Sequence, residues 1–548
     1  MATRKSTVGQ SARPSGARAE AARRQGPRPV PAPALTATHK PPRTLSKSKV
    51  LAFRQCPRRL WLEIHHPDLA EVSEEANLRF AGGHQLGELA RRLYDPKGRG
   101  RLVDLQAEGI EAALAHTQDL LKEPLPIFEA GFEGGGAKAF ADVLLPVKRR
   151  GQSLRWRMVE VKSSTSVKDY HRNDVAVQAY AAHASGVALQ AVHLARVDSH
   201  WTYPGGGDYD GILVEEDLTD DALDRGDEVA LWLDEGHRIA RKRVEPSVPT
   251  GEQCNQPFEC AFRRHCAAGE VPAEFPVQWL PKVATKALKA RLAEPGVQDL
   301  RQVDDDLLNA RQLRVKQHTL ADTTYFDADG ARAALAPFKG PWRFLDFETI
   351  AFVVPIWKGT RPYQQIPFQF SLHTVGVRGK ESHAEFLDLS GADPRKALAI
   401  ALIEACGDSG PVFAFNVSFE RGRILEMAAS LPRQRKALNA LAERLVDLLP
   451  VAEQCYYHPS QQGSWSIKKL LPAMAPDLSY EALQGVQGGG AATAAYIEAI
   501  GPDTTPARKA ELDQQLRAYC QLDTYAMVRV WRILSGRQAL PGPSMQVE

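Results

Sequence analysis

Two carboxylates spaced i, i+2 in Arg343-Phe344-Leu345-Asp346-Phe347-Glu348-Thr349 are the residues on which the chemistry of this chain turns. The apolar pair Phe344-Leu345 predicts a strand, and alternation then puts Asp346 and Glu348 on one face with Phe347 on the other. Like charges that close together are costly unless cations lie between them. A pair of divalent metals would supply that compensation and would activate water for phosphodiester cleavage. Taken alone, an Asp-x-Glu is more often a solvated strand edge. Further acids lie downstream. The strand-like Val412-Phe413-Ala414-Phe415 delivers Asn416-Val417-Ser418-Phe419-Glu420, with Glu420 opening a helix. Tyr519 and Asp523 are i, i+4 neighbours on one face of a last long helix, Glu511–Leu534. Four carboxylates and a phenol suit two metals about 3.5–4 Å apart, with the phenol positioning the attacking water. Asp447, in Arg444-Leu445-Val446-Asp447-Leu448, could stand in for Glu420, although a helix-surface aspartate is its simpler reading.

A second constellation lies upstream. Arg155–Lys162 reads as a strand in which Glu160 and Lys162 share a face while Val159 and Val161 turn to the core. Asp142, on the preceding strand Lys138–Leu145, can reach the same edge. Two carboxylates bind a divalent metal, and a lysine beside them can orient water or stabilise charge building on a phosphate. Glu-Val-Lys alone is a common surface strand.

Of seven cysteines, Cys254, Cys260 and Cys266 fall within thirteen residues and Cys56 stands far upstream. Cys406, Cys455 and Cys520 occupy apolar or mixed contexts that suit buried thiols. An odd cysteine count and the lack of an apolar signal segment point to a reduced, cytoplasmic setting rather than a disulfide framework.

The elements that must position these residues divide the 548-residue chain into parts. Hydrophobic content of 43% and charged content of 25% are those of an ordinary soluble protein, and no apolar run is long enough to span a bilayer. Residues 1–44 carry nine Lys/Arg against the single acid Glu20, with seven prolines, and predict a disordered basic tail able to attract nucleic acid phosphates. Downstream, 60 basic residues face 65 acidic ones. A first module over 45–270 opens on a helix from Leu45 through Cys56 to Leu62 and continues with helix over Glu74–Tyr94, interrupted at Gly82-Gly83. Strands at Pro126–Glu129, Lys138–Leu145, Arg155–Lys162 and Leu189–Val197 follow, with a helix over Asp174–Ser185. A polar, helical connector spans 271–340, and a second α/β module 341–548. In that module Gln369, Ser371 and His373 form a polar row that faces either substrate or solvent. The triple-glycine runs near 135, 206 and 489 lack a following Lys-Ser/Thr and read as loops.

Asp142, then Glu160-x-Lys162, then Gln178-Ala179-Tyr180 on the next helix, resembles the RecB-like branch of the PD-(D/E)XK nucleases. The resemblance implies a restriction-endonuclease-like α/β core. It makes Asp142 and Glu160 metal ligands, Lys162 the catalytic lysine, Gln178 and Tyr180 supporting residues, and His84 on the early helix a further ligand. One cysteine before that core and three after it resembles the members of this branch that hold an iron–sulfur cluster. That likeness implies a 4Fe-4S group on Cys56, Cys254, Cys260 and Cys266, although four thiolates also suit zinc. The pattern Asp346-x-Glu348, Asn416…Glu420, Tyr519-x-x-x-Asp523 resembles the DnaQ-like DEDD exonucleases of the tyrosine type, on a ribonuclease H-like fold, with Glu420 where that family has Asp. Asp346, Glu348, Glu420 and Asp523 would then hold Mg²⁺ or Mn²⁺. Together these likenesses imply a two-module nuclease acting on nucleic acid, on DNA before RNA, with an unknown helicase or repair partner. An RNA-processing exonuclease and a binding scaffold with a degenerate site are the alternatives.

Overall fold

The computed structural model describes residues 35–148, 151, 153–270 and 272–540. The fold is mixed α/β, built on two main sheets joined by a helical connector. Most of the basic tail lies outside the described residues. Its last ten residues do not: Leu35 and Ala37 hydrogen-bond to Glu245 and Arg243 and pack beside Trp61. The predicted tail is therefore too long at its C-terminal end, because two apolar side chains find an apolar cluster there.

Helix α1 (Lys47–Gln55) and helix α2 (Pro57–His65) replace the single predicted helix. The break falls at Cys56, which is extended, and Pro57 starts the second helix, where its missing N–H costs nothing. Helix α3 (Glu74–Tyr94) runs unbroken through Gly82-Gly83. A Cβ on Gly82 would lie 2.9 Å from the Val353 side chain, so close approach by a loop of the second module explains that glycine. Next come strands β1 (Ile127–Gly134), β2 (Ala137–Val147) and β3 (Arg155–Lys162), helix α4 (Asp169–Ala184), strands β4 (Leu189–Val197) and β5 (Leu213–Asp217), and helix α5 (Gly226–Ala240). β1, β2 and β3 pair antiparallel, β3 and β4 parallel, and β4 and β5 antiparallel. Two-residue strands at Leu45–Ser46 and Arg101–Leu102 complete seven strands. Val175, Val177, Ala179 and Ala182 of α4 bury against Ala130, Phe132, Met158 and Leu194 of the sheet.

The connector contributes helix α6 (Ala310–Ala321), capped at both ends of its first turn by Asn309 and Gln312. The second module is a five-stranded sheet in the order β8-β7-β6-β9-β10. Its members are β6 (Trp342–Ile350), β7 (Ile366–Val375), β8 (Glu381–Leu387), β9 (Val412–Ala414) and β10 (Leu445–Asp447). The first three pair antiparallel, while β9 and β10 continue the sheet in parallel. Helices α7 (Arg395–Cys406) and α8 (Ser418–Ser430) pack with Leu345, Phe347, Phe370 and Leu372 on one face. On the other lie α9 (Ile467–Met474), α10 (Gly489–Ile500) and the 29-residue α11 (Pro506–Leu534). Central β6 is thus enclosed on both faces, which is why its polar residues stand out.

The polar row of β7 faces neither substrate nor solvent. Gln369 and Ser371 are fully buried; Gln369 donates to the Leu516 carbonyl, and Ser371 and His373 bond the Thr524 hydroxyl of α11. A row of hydrogen-bonding side chains here fixes a helix against a sheet.

Candidate active sites

In the second module β6 carries Asp346 and Glu348 into a space closed by α8 and α11. Glu348 is 8% exposed, Glu420 4%, Asp523 7% and Tyr519 5%. Burial and the neighbouring Asp523 push Glu348 up to about 8, burial lifts Glu420 to about 7, and burial lifts Asp523 to about 6. Asp346 is driven well above the carboxylate range by burial and by Asp523, Glu348 and Glu420. Acids from three separate segments therefore face one another. Glu420 sits in the first turn of α8, and its buried Oε2 has no hydrogen-bond partner among the described residues. Asp447 is not a helix-surface residue. It ends β10, and its Oδ1 accepts from the Asn416 and Leu449 backbone N–H groups, a turn-fixing role, while its charge raises Glu420 and the charge of Glu420 acts on Asp346.

Three residues here escaped the sequence reading. Tyr480 donates to Asp523 Oδ1 at 2.5 Å. Lys468 sits 5.1 Å over the Tyr480 ring and 5.0 Å over that of Tyr519, and its charge lowers Glu348 and Asp523. Cys520 donates to Asp346 Oδ2 at 3.7 Å, and donor atoms of Asp346, Glu348 and Cys520 all lie within 4.8 Å of one another. Position i+1 from Tyr519 signalled only a buried thiol. A cavity of about 380 Å³ opens onto Asp346 and Asp523 between Phe415, Asn416, Trp465 and Met527. Buried acids that raise one another and a Glu420 oxygen without a partner among the described residues make a donor set that fits divalent metal.

In the first module Glu160 is almost wholly buried at the end of β3. Its Oε1 accepts from Lys162 at 2.6 Å and from Lys47 at 2.8 Å; its Oε2 accepts from Gln178 at 2.7 Å. Asp174 on α4 pairs with the same two lysines, at 2.5 and 3.1 Å. Burial opposes the charge of Lys162, but Asp174, Glu160 and Asp142 outweigh it and hold the ammonium well above its ordinary range. Asp142 Oδ2 accepts from the Val161 N–H at 2.6 Å, and burial with the nearby Glu160 drives this acid upward. Between the pairs Phe128–Val143 and Ala130–Ala141, the register sets Glu129 opposite Asp142, with a left-handed φ of 55°. A non-glycine residue held there is strained, and such strain gathers at functional sites. Burial and Glu160 raise Glu129 too. Neither Lys47, Asp174 nor Glu129 was legible beforehand.

Gln178 joins this site by donating to Glu160, the place the resemblance implied for it. Tyr180, two residues on, lies on another side of α4, with its hydroxyl at the Gly135 carbonyl in the β1–β2 turn. It supports the turn and not the acids. His84 is exposed on α3 and lines the same groove as Asp142, Glu160 and Lys162, with its charge acting on Glu129. That groove measures about 1770 Å³ and continues past Phe258 and Cys260 on the cysteine-bearing loop.

The four upstream and downstream cysteines converge behind the groove. Burial pushes the Cys266 thiol up to about 12 and raises Cys260, with Cys56 acting on both and Cys254 on Cys260. Cys260 N–H donates to the Cys254 carbonyl at 2.8 Å, folding the triplet around itself. His265 turns away to Glu245, at 3.1 Å. Among the described residues no three of these sulfurs lie within 4.8 Å of one another.

A family model described as a domain of unknown function (DUF2779) matches residues 343–466. The match opens on β6, takes in Asp346, Glu348, Glu420 and Asp447, and stops short of Lys468, Tyr480 and Asp523. An uncharacterized protein of Mycoplasma pneumoniae, named as an MG366 homolog, is 28% identical over 220 residues, which covers 35% of this chain and 33% of the relative. Uncharacterized protein MG366 of Mycoplasma genitalium is 27% identical over 223 residues with the same coverage. The chain thus spans about a third of the length of the curated relatives it matches. The crystal structure of SSO0001 aligns at 16% identity over 42% of this chain and 89% of its own, with a TM-score of 0.23, too loose to bear on the fold. No helix among the described residues is long and apolar enough to cross a membrane.

Proposed function

We propose that this chain is a metal-dependent nuclease with two phosphodiester-cleaving sites, acting on DNA. The observation that carries the reading is the meeting of Asp346, Glu348, Glu420 and Asp523 in one buried space, each acid pushed upward and one oxygen of Glu420 without a partner. Divalent ions held by those four would neutralise the charge of the scissile phosphate and activate water. Tyr519, kept protonated by burial and the surrounding acids, remains a hydrogen-bond donor for that water. Tyr480 fixes Asp523, and Lys468 offers a cation toward a phosphate approaching between the two rings. Helices on both faces of a mixed sheet, with the acids on its central strand, favour the ribonuclease H-like reading of this module.

In the first module Asp142, Glu160 and the raised Glu129 offer carboxylates, while Lys162 keeps its proton and can stabilise charge on the phosphate. Support for a nucleic acid substrate is the groove itself. Its walls carry Arg54, Arg79 and Arg263 without a carboxylate partner among the described residues, while Lys49 and Arg59 pair with Glu63 and Arg264 with Glu71. Phe80 and Phe258, 63% and 43% exposed, stand among them as faces on which bases could stack. Cys56, Cys254, Cys260 and Cys266 come close enough to perturb one another, which supports one shared metal group, an iron–sulfur cluster by the resemblance and zinc as the alternative.

The test is purified protein with Mg²⁺ or Mn²⁺ on end-labelled single-stranded DNA and RNA. Metal-dependent loss of 3′ nucleotides that disappears in Asp346→Asn supports the exonuclease; no cleavage of either polymer by fully metallated protein refutes it.

A further inference from the structure

Helix α11 carries Tyr519, Cys520 and Asp523 into the second site. The phenol and the carboxylate have parts in the hydrolysis; the thiol between them has none so far. Cys520 is fully buried, and Asp523 follows it at i, i+3 on the same side of the helix. Its Sγ lies 3.7 Å from Asp346 Oδ2 and 3.9 Å from the Asp346 carbonyl oxygen. Donor atoms of Asp346, Glu348 and Cys520, one from each, fall within 4.8 Å of one another. The charges of Asp346, Glu348 and Asp523 all act on the thiol. Other buried thiols of this module keep different company: Cys406 sits near Arg343 and Arg444, and Cys455 near Asp327 and Arg314. Beside the triplet, Glu420 is buried, its charge acts on Asp346, and its Oε2 has no hydrogen-bond partner among the described residues.

A buried cysteine is usually a small apolar filler. A filler gains nothing from three carboxylates around its sulfur. A thiol–carboxylate hydrogen bond accounts for the contact with Asp346, but not for a Glu348 oxygen within 4.8 Å of the sulfur as well. A shared metal accounts for both. Bonds of about 2.3 Å to sulfur and about 2.1 Å to oxygen, at a tetrahedral angle, set the two ligand atoms about 3.6 Å apart. Sγ and Oδ2 are 3.7 Å apart. The oxygen octahedron of Mg²⁺, with bonds of about 2.1 Å, sets adjacent ligands only about 3.0 Å apart. Sulfur is also the wrong donor for so hard an ion, and a good one for zinc.

We propose that Cys520 joins Asp346 and Glu348 as a ligand to one of the two ions of the second site, and so makes that position select a thiophilic divalent ion of the zinc or cobalt kind over Mg²⁺. This deepens the metal-dependent reading of the second site and rests on it. As the ion binds, the thiol gives its proton to water and the sulfur bonds to the metal.

The probe is Co²⁺ alone, added anaerobically to full-length protein. Wild type and variants are prepared alike, so that Cys56, Cys254, Cys260 and Cys266 contribute equally to every spectrum. Wild type minus Cys520→Ala should show a near-ultraviolet sulfur-to-cobalt charge-transfer band. In calorimetry, Cys520→Ala should weaken the Asp346-dependent binding of Zn²⁺ by about tenfold or more and change that of Mg²⁺ by less than about twofold. A missing difference band, or Zn²⁺ and Mg²⁺ weakened alike, overturns the proposal. Should Cys520→Ala fail to fold, Asp346→Asn keeps the thiol and must lose the same band; an undiminished band there overturns it. The underlying reading fails separately: if Asp346→Asn binds as much Co²⁺ as the wild type, the second site is not a metal site and Cys520 has no ligand role. If Asp346→Asn loses Co²⁺ while Cys520→Ala keeps the wild-type spectrum, the metal site stands and Cys520 is packing.

Discussion

The Tyr480 hydroxyl donates to Asp523 Oδ1 at 2.5 Å, across 43 residues of chain and between two elements that no local pattern connects. Tyr519, on the same helix as Asp523, faces the same acids, with its ring centroid 6.2 Å from that of Tyr480. Two phenols thus serve one carboxylate, and their roles separate in kinetics. Tyr480→Phe frees Asp523 to turn, so it should weaken metal binding and slow trimming by about 10–100-fold. Tyr519→Phe should slow trimming at saturating metal while the metal requirement stays put. A metal requirement unchanged in Tyr480→Phe would reduce that tyrosine to packing.

The raised acids set a pH dependence whose sign can be worked out. Glu348, at about 8 in the fold, binds a proton there that the unfolded chain releases near its ordinary 4.5. Between those values the folded state holds more protons, so stability falls as pH rises. His373 works the other way: burial lowers it to about 4, so stability is lost as pH falls from about 6.5 to 4. The interval from pH 6.5 to 8 therefore belongs to the acids. Metal-free protein should melt lower at pH 8 than at pH 6.5, and Mn²⁺ should abolish that difference. Asp346→Asn removes one like charge and should raise the metal-free Tm by a few degrees, since about 1 kcal/mol moves a domain of 150–250 residues by roughly 2–4 °C. The same change should end trimming. A metal-free Tm flat across that interval would mean the four acids do not repel.

Much of this could be read in advance where chemistry and periodicity coincide. Asp346 and Glu348 share a strand face, Glu160 and Lys162 another, and the strands over 155–162 and 189–197 fall where alternation puts them. The losses are physical as well. Lys47, Glu129, Asp174, Lys468 and Tyr480 reach their sites through tertiary contacts that leave no periodic trace. Gly82-Gly83 looked like a helix break because glycine is a poor helix former, yet Val353 from the other module fills the space a side chain would take. The row Gln369, Ser371, His373 read as facing substrate or solvent because polar alternation on a strand usually does; here Thr524 and the Leu516 carbonyl satisfy it.

The modules meet beside the first site. The segment after β6 returns to the first module, where the Tyr363 hydroxyl donates to the carbonyl of Ser163, next to Lys162, and Tyr209 donates to the Pro355 carbonyl at 3.0 Å. The two acid clusters remain separate sets of residues. Lys162→Ala should therefore abolish one cleavage activity and Asp346→Asn the other, and the double variant should lose both, with effects that add. If either single change removes all cleavage, the chain has one working centre.

Lys47 and Cys56 mark the two ends of one helix: α1 begins at Lys47, and Cys56 is its C-terminal cap. A cluster joining Cys56 to Cys254 closes 198 residues of chain around the first module. By analogy with a disulfide of that span, the entropy removed from the unfolded chain is about 5 kcal/mol, and metal–thiolate bonds coupled to folding add to it. Such a sum rivals the roughly 5–15 kcal/mol of a whole domain. Cys56→Ala should consequently lose the group, expose the span 45–270 to protease, and release the helix that holds Lys47 against Glu160. The second module has cores of its own around Trp531, Tyr496 and Leu402, and should stay resistant and still trim ends. Anaerobically purified wild-type protein should contain iron and sulfide. Stoichiometric zinc without iron would overturn the choice of metal, and an unchanged metal content and protease pattern in Cys56→Ala would remove Cys56 from the centre.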